Sequence, residues 1–476
     1  MFTIYFNYWT VYLYIDEINI HIITFLDKLG GMKAMQLILL SGGSGKRLWP
    51  LSNNSRSKQF LKLLANEHSS TQKISMIQRI WQQLQKTELT KHVVISTSKS
   101  QVDIIDSQLG SNIPLIVEPS RRDTYPAIVL ACVYLYSVKK VSTDEVVIVM
   151  PVDSYVEKEF FDQVNHLEQV VLDSNASLSL IGIEPTFPSE KYGYIVPISS
   201  QPSNINKSYQ GVNRFVEKPN LEKAKMLLKE GALWNSGIFA FKLKFMLNHI
   251  EKKGWLLNYD EMVKQYDTLP NTSFDYEVVE QTKNIAVTPY KGPWKDLGTW
   301  NTLTEEMATP LLGKGTISPE CKNVHVINEL DIPVSVLGLS NLIVAVSPDG
   351  ILVSDKKASP RIKEIANEFE QRTMYDERSW GWYRVLDYND SHNSHEALTK
   401  RIGILKGKSP GFQKHYHFQL TWIIVRGIGL FTLNNKVKNV QAGDTLQIPS
   451  KEAYNIKAIT DLEFIEVKIG VQLFKE

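Results

Sequence analysis

An α/β fold built on a mostly parallel sheet is predicted, and three observations predict it. Short, strongly apolar runs at Leu37 to Leu40, Val93 to Ser96, Pro114 to Glu118 and Glu145 to Met150 read as buried strands. Helical stretches separate them. Ile74, Ile77, Ile80 and Trp81 share one face of a helix expected over Lys73 to Gln85, and a run rich in Ala, Val and Leu follows Ala127. The first strand empties into Ser41-Gly42-Gly43-Ser44-Gly45. Strand and helix in alternation indicate a parallel sheet covered on both faces, with ligands bound beyond the carboxyl ends of the strands. The glycine loop and Asp153 both lie at such ends, so the two could meet.

The glycine loop carries the first chemical signal. Backbone without Cβ atoms can turn sharply and bring its N–H groups against a ligand. Lys46 and Arg47 follow directly and Lys58 a little later. Bare backbone donors backed by fixed positive charge suit a polyphosphate. Two common phosphate loops are excluded. A P-loop needs Gly where Leu40 stands and Ser or Thr where Arg47 stands, and a dinucleotide loop starting at Gly43 needs Gly where Leu48 stands.

Composition narrows the class. A chain of 476 residues is long enough for more than one domain, and 43% hydrophobic with 22% charged residues is ordinary for a soluble globular protein. Lys and Arg number 53 against 51 Asp and Glu, so bulk charge favours neither a nucleic-acid nor an anionic-membrane partner. Cys132 and Cys321 form no metal or redox motif, which makes a reducing, cytoplasmic setting the default. Residues 1–34 are aromatic-rich, but Asp16 and Glu17 interrupt the apolar run below the roughly 20 residues that span a bilayer. No basic segment or cleavage site marks a signal peptide. The stretch reads as an over-extended start or a dispensable appendage, with a membrane-surface helix as the alternative.

The loop continues as GGSGKRLWPLS…KQFLKL. Further blocks follow in order: Glu118-Pro119-Ser120-Arg121-Arg122-Asp123-Thr124-Tyr125-Pro126-Ala127, Pro151-Val152-Asp153, Tyr192-Gly193-Tyr194-Ile195, Phe215-Val216-Glu217-Lys218-Pro219, Trp234-Asn235-Ser236-Gly237 and Trp294-Lys295-Asp296-Leu297-Gly298-Thr299-Trp300. Together, from Leu37 to about Trp300, they resemble the sugar-nucleotide pyrophosphorylases, and Leu48-Trp49-Pro50-Leu51-Ser52 points to the mannose-1-phosphate guanylyltransferase branch.

The resemblance implies a Rossmann-like, glycosyltransferase-A-like nucleotidyltransferase domain over residues 35–305. A β-rich segment with a connecting helix (306–372, the helix over Ile362 to Arg372) and a cupin barrel (373–476) would follow. It implies that mannose 1-phosphate attacks the α-phosphorus of GTP, giving GDP-mannose and pyrophosphate with Mg²⁺ as cofactor. In that scheme Arg47 and Lys58 meet the triphosphate, Gly42, Gly43 and Gly45 let the backbone approach it, and Arg122 lies near the nucleotide. Asp153 and Asp296 hold Mg²⁺. Lys218 meets the sugar phosphate, while Glu217, Asn235 and the backbone at Gly193 read the sugar. The bland readings are solvated surface charges for Arg47 and Lys58, a helix cap for Asp153, a salt-bridged turn for Glu217-Lys218 and a structural amide for Asn235. A homodimer stays open.

Several positions depart from the family pattern. Arg121, Asp123 and Tyr125 replace Gly, Asn and Ala; Ser57 replaces Pro; Ser154 replaces His. Base and sugar preference are therefore less fixed than the fold.

The cupin departs further. In the bifunctional relatives a His and Glu set holds a metal for phosphomannose isomerase activity. Here His415 and His417 remain at strand spacing, expected on one face, while Leu420 stands for Glu and Tyr454 and Asn455 for His and Arg. Leu420 offers no donor, so a vestigial site without isomerase activity is expected. The alternatives are a fully bifunctional enzyme, a related sugar-1-phosphate nucleotidyltransferase, and an inactive GDP-sugar-binding protein. Retention of Arg47, Lys58, Asp153, Lys218 and Asp296 argues against the last.

Overall fold

The computed structural model describes residues 35–43, 46–66, 69–87, 89–198, 208–366, 368, 372–390 and 396–470; the expected appendage (1–34) and Gly45 lie outside the described residues. The strands that frame the site are, in chain order, β1 (Gln36–Leu40), β2 (Val93–Ser98), β3 (Leu115–Glu118), β4 (Val146–Pro151), β5 (Ser154–Val156), β6 (Leu178–Ile183), β7 (Tyr194–Pro197), β8 (Gln210–Val216), β9 (Leu233–Lys242), β10 (Ile285–Tyr290) and β11 (Trp294–Asp296). The main sheet runs β3-β2-β1-β4-β9-β6-β10-β8-β7. Parallel pairs join β1 to β2 and β4, β2 to β3, and β6 to β10. Strand β9 is antiparallel to β4 and β6, and β8 to β10 and β7. Every strand of the sheet except β8 and β9 therefore points one way.

Alternation along β1 explains the layers. Leu37 and Leu39 face a core built with Ile77 and Ile80 of α1 (Met76–Lys86) and Phe160 and Val164 of α4 (Lys158–Ser174). Ile38 faces the opposite core, with Ile128 and Val129 of α3 (Thr124–Ser137). Apolar residues cover all sides of α3, and it is buried accordingly. Helix α1 starts later than its periodicity suggests. Ser75 accepts from the Gln78 amide while Gln78 reaches back to the Ser75 N–H, a capping box that fixes the start at Met76. Ile74 belongs instead to a strand, Ser69–Ile74.

Register delivers the site. Leu40 lies opposite both Ser96 and Pro151, and the Val152 N–H donates to the Leu40 carbonyl at 3.2 Å. The glycine loop and Asp153 thus leave the sheet side by side.

Beyond the sheet, the strands Leu311–Leu312, His325–Asn328 and Leu342–Ser347 stack in parallel and Gly350–Asp355 adds an antiparallel edge. Arg56 clamps this segment to the first through two bonds to Glu329, at 2.7 and 2.9 Å. The connecting helix is Ile362–Ala366, with 367 and 369–371 outside the described residues.

The C-terminal barrel packs a six-stranded against a four-stranded antiparallel sheet around Leu398, Leu420, Trp422 and Phe464. Asn434 and Asn435, at φ 48° and 64°, make the two-residue turn between Ile428–Leu433 and Lys436–Gln441. The barrel leans on α2 (Val102–Leu109): Arg378 and the Ser379 hydroxyl both reach Asp103 at 3.0 Å, and the Ser107 hydroxyl reaches Glu377 at 2.8 Å.

Candidate active site

The glycine loop is held from beneath through its carbonyls. Gln59 donates to the Ser41 carbonyl at 2.7 Å. The Ser57 hydroxyl and the Gln101 amide donate to the Gly43 carbonyl at 2.6 and 3.1 Å, and Gln101 also donates to the Ser57 hydroxyl at 2.6 Å. A Cβ on Gly42 would stand 2.8 Å from Glu118 Oε1 and would push that buried carboxylate aside; a Cβ on Gly43 would meet open space. Ser57, which departs from the family pattern, has a clear task, because a proline could not bond the loop.

Lys58 is the centre of charge. Its Nζ lies 2.8 Å from Asp153 Oδ2 and 3.2 Å from Asp296 Oδ1. Asp296 is delivered by the β5–β11 ribbon, in which it pairs with Ser154, the residue after Asp153. Burial works against the lysine charge, yet the two carboxylates raise its pKa above the ordinary value. Burial likewise opposes ionisation of Asp153, but Lys58, with Arg47 adding to it, holds that carboxyl below the usual range. Arg47 is exposed beside the loop. Two carboxylates converging on one cation are a donor set that suits a divalent ion. Among the described residues no group of three or more His, Cys, Asp or Glu side chains could hold a metal ion.

A second cluster lies along the same edge. Tyr192, its pKa pushed up to about 12 by burial and by the Asp296 charge, borders the Lys58 group. Its neighbour Gly193 borders the other: a Cβ there would stand 2.5 Å from Glu217 Oε2 and 2.7 Å from the Phe215 ring. Glu217 Oε1 pairs with Lys218 at 2.7 Å, while Oε2 is buried with no hydrogen-bond partner among the described residues. Asn235 takes the Gly193 carbonyl with its backbone N–H (2.8 Å) and the Gly237 N–H with its side-chain oxygen (3.0 Å). Its amide donates to Asp275 Oδ1 at 2.6 Å. Burial and the Glu217 charge push the Asp275 pKa up to about 7. Glu280 accepts the Glu217 N–H at 3.0 Å.

The residues of the altered block make contacts of their own. The Arg122 Nε donates to the Leu269 carbonyl at 3.0 Å, which ties its side chain to the 266–269 turn. Arg121 donates to the Asn54 carbonyl at 2.5 Å. Asp123, at φ 70°, caps α3. Tyr125 is fully buried and bonds His249 at 3.0 Å, a packing role among helices.

Residues 36–311 match the nucleotidyl transferase family model, more than half of the chain. The chain belongs to the nucleotidyl transferase family. Residues 366–476 of this nucleotidyl transferase match a second model, the mannose-6-phosphate isomerase C-terminal domain. The Escherichia coli O157:H7 mannose-1-phosphate guanylyltransferase 2 is 28% identical, over 91% of this chain and 94% of its own length. The xanthan biosynthesis protein XanB of Xanthomonas campestris is 29% identical, over 92% and 96%. The crystal structure of a mannose-1-phosphate geranyltransferase from Thermus thermophilus superposes with a TM-score of 0.58 at 26% identity, covering 71% of this chain and all of that one.

In the barrel of this nucleotidyl transferase, His415 and His417 sit in the bend between Gln413–Lys414 and Phe418–Arg426, not within a strand. Expectation of one shared strand face is thereby corrected: His415 packs at a tilt against Phe418 and Tyr454 with ring centroids at 4.3 and 5.6 Å, and His417 is exposed. No helix among the described residues is long and apolar enough to cross a membrane.

Gln101, Asp275 and Glu280 escaped the sequence reading. None has a local pattern; each reaches the site from a distant element.

Proposed function

We propose that this enzyme transfers the guanylyl group of GTP to α-D-mannose 1-phosphate, as a cytoplasmic mannose-1-phosphate guanylyltransferase. The observation that carries the reading is the Lys58 ammonium between Asp153 and Asp296, beside the glycine loop and next to a second cluster with a buried acceptor at Glu217 Oε2.

A phosphate oxygen of mannose 1-phosphate attacks the α-phosphorus of GTP in line. The new P–O bond forms as the bond to the β-phosphate oxygen breaks, and pyrophosphate leaves with the electron pair. Two anions must be brought together and their charge neutralised, so the work is positioning and electrostatics. Arg47, Lys58 and the backbone of Gly42 and Gly43 bind the triphosphate. Lys218 takes the sugar phosphate, and Glu217, Asn235 and the Gly193 backbone bind the sugar hydroxyls. Asp153 and Asp296 hold Mg²⁺, which when bound neutralises phosphate charge. With nucleotide present, Lys58 exchanges carboxylate for phosphate oxygen. Arg122, its Nε held by the Leu269 carbonyl, lies on the nucleotide side. The barrel does not isomerise fructose 6-phosphate.

The test is pyrophosphate release from the purified protein with Mg²⁺ and mannose 1-phosphate, offering GTP, ATP, UTP and CTP in parallel. Release with GTP alone, lost in Asp153→Ala and Arg47→Ala, supports the reading. Release with another nucleotide moves the specificity. No release from folded protein that still binds GDP-mannose overturns it.

A further inference from the structure

Ser57 and Lys58 lie on a segment that the rest of the chain fastens at both ends. Upstream, residues 53–56 form a tight turn. The Asn53 side-chain oxygen accepts the Ser55 and Arg56 N–H groups at 3.1 and 2.8 Å, and the Asn53 N–H donates to the Arg56 carbonyl at 2.9 Å. Such a turn closes on itself, so its place is set by what holds it from outside. The β-rich segment holds it twice. Arg56 makes its paired bonds to Glu329, and the Asn53 amide donates to Asp349 Oδ2 at 2.9 Å. The barrel joins in: the Arg56 guanidinium lies 5.1 Å from the Tyr375 ring centroid, and Asp349 Oδ1 accepts the Met374 N–H at 2.6 Å. Downstream, the Lys62 ammonium pairs with the buried Glu377 of the barrel at 2.9 Å.

Between these anchors stand the groups that build the site. Ser57 bonds the Gly43 carbonyl, and Lys58 reaches Asp153 and Asp296. The Phe60 N–H donates to the Ser57 carbonyl at 3.0 Å and the Leu61 N–H to the Lys58 carbonyl at 3.3 Å, so residues 57–61 move as one piece. An ion pair that only stabilised the domain contact could sit anywhere along it. These sit directly before Ser57 and one short turn after Lys58. Arg56 is 8% exposed. A buried guanidinium that loses its carboxylate must find another acceptor, and the backbone beside it shifts with it.

We propose that Arg56 with Glu329, and Lys62 with Glu377, are positioning pairs for the transfer reaction, through which the β-rich segment and the barrel set where Ser57 and Lys58 stand against the glycine loop and the two aspartates. The catalytic consequence rests on the reading of Lys58 given above; the anchoring does not.

The test is steady-state kinetics and amide hydrogen exchange on the full chain, with each variant assayed below the onset of its thermal melt. In Glu329→Gln and Lys62→Met, kcat should fall about tenfold and the KM for GTP should rise about fivefold, since a small misplacement of a positioned group is costly. The KM for mannose 1-phosphate should not move, because its cluster at Glu217 lies apart from these anchors. A merely structural loss would lower kcat and leave both KM values alone. The Phe60 and Leu61 amides should exchange about tenfold faster than in wild type. Glu463→Gln, which breaks the Arg401–Glu463 pair of the barrel at 2.6 Å, should keep wild-type kinetics and exchange. If Glu329→Gln does not fold, Lys62→Met, altered at a side chain 43% exposed, decides. The proposal is overturned by wild-type GTP kinetics in a folded Glu329→Gln or Lys62→Met protein, by an equal rise in both KM values, by unchanged exchange at Phe60 and Leu61, or by the same losses in Glu463→Gln. Wild-type protein that turns over no GTP overturns the nucleotide reading, and the exchange rates then decide the anchoring alone.

Discussion

Replacing Lys58 by Met removes the cation from between Asp153 and Asp296 while keeping most of the side-chain volume. At 2.8 and 3.2 Å, the two attractions amount to about 6 and 5 kcal/mol at an effective dielectric of about 20. Much of this is offset by desolvation of the lysine, whose side chain is 14% exposed, and by water at the carboxylates, 35% and 33% exposed. Exposed pairs are worth about 0–1 kcal/mol and breaking buried ones costs about 3–5, so a net loss of about 2 kcal/mol is expected. That is a fall of about 4–8 °C in Tm. The loss has a specific remedy. Two carboxylates left facing one another without a cation should take up Mg²⁺ in the absence of nucleotide. A thermal melt of the Lys58→Met protein should therefore recover on adding millimolar Mg²⁺, while the wild-type melt, with Lys58 in place, barely moves. Pyrophosphate release should fall by about 10²–10³. Equal Tm values for the two proteins, or an equal Mg²⁺ response, would refute the view that Lys58 and the metal share one electrostatic seat.

Gly42→Ala should cost stability, because its Cβ would stand 2.8 Å from Glu118 Oε1, whereas Gly43→Ala meets open space and should melt like wild type while weakening GTP in calorimetry. Gly193→Ala should raise the KM for mannose 1-phosphate at least tenfold with little change in that for GTP, since the added methyl displaces Glu217 and Phe215; equal effects on both substrates would contradict separate subsites. Asp275→Asn should change the pH dependence of stability. The folded carboxyl titrates near 7 instead of 3.8, so between those values the folded state binds more protons than the unfolded one and wild-type stability falls as pH rises. The variant lacks this fall. Its advantage should open from about pH 4 and level off above about pH 7; chemical denaturation across that range reads it, and parallel curves would exclude the burden on Asp275.

The fold was largely legible because its strands are self-declaring. Val146–Pro151 is apolar on both faces, as a strand covered by helices must be, and the glycine loop marks where the first strand ends. Element starts were less legible where side chains compete locally. Ile74 fits the helical stripe of α1, but the Ser75–Gln78 box ends the strand and begins the helix one residue beyond it. Antiparallel β9 in the middle of the sheet could not be inferred either. Strand direction leaves no mark on periodicity, and only the pairing with β4 and β6 reveals it.

The site divides along the same line. Lys58, Asp153, Glu217 and Asp296 sit in dense local blocks, and the sequence supplies such blocks whole. Their partners come from the far side of the register. Gln101 reaches Gly43 because β1 and β2 are adjacent and parallel, so residues after Ser98 emerge beside those after Leu40. Asp275 meets Asn235 across 40 positions, carried on a π-turn whose start is pinned to α3 by the Thr124 hydroxyl accepting the Phe274 N–H. The altered EPSRRDTYPA block shows why type alone misleads. Tyr125, set where a small residue usually stands, fills space among helices and bonds His249, while Arg121 turns to the Asn54 carbonyl. The substituted residues in this block are thus engaged in packing and in a contact to the Asn54 carbonyl.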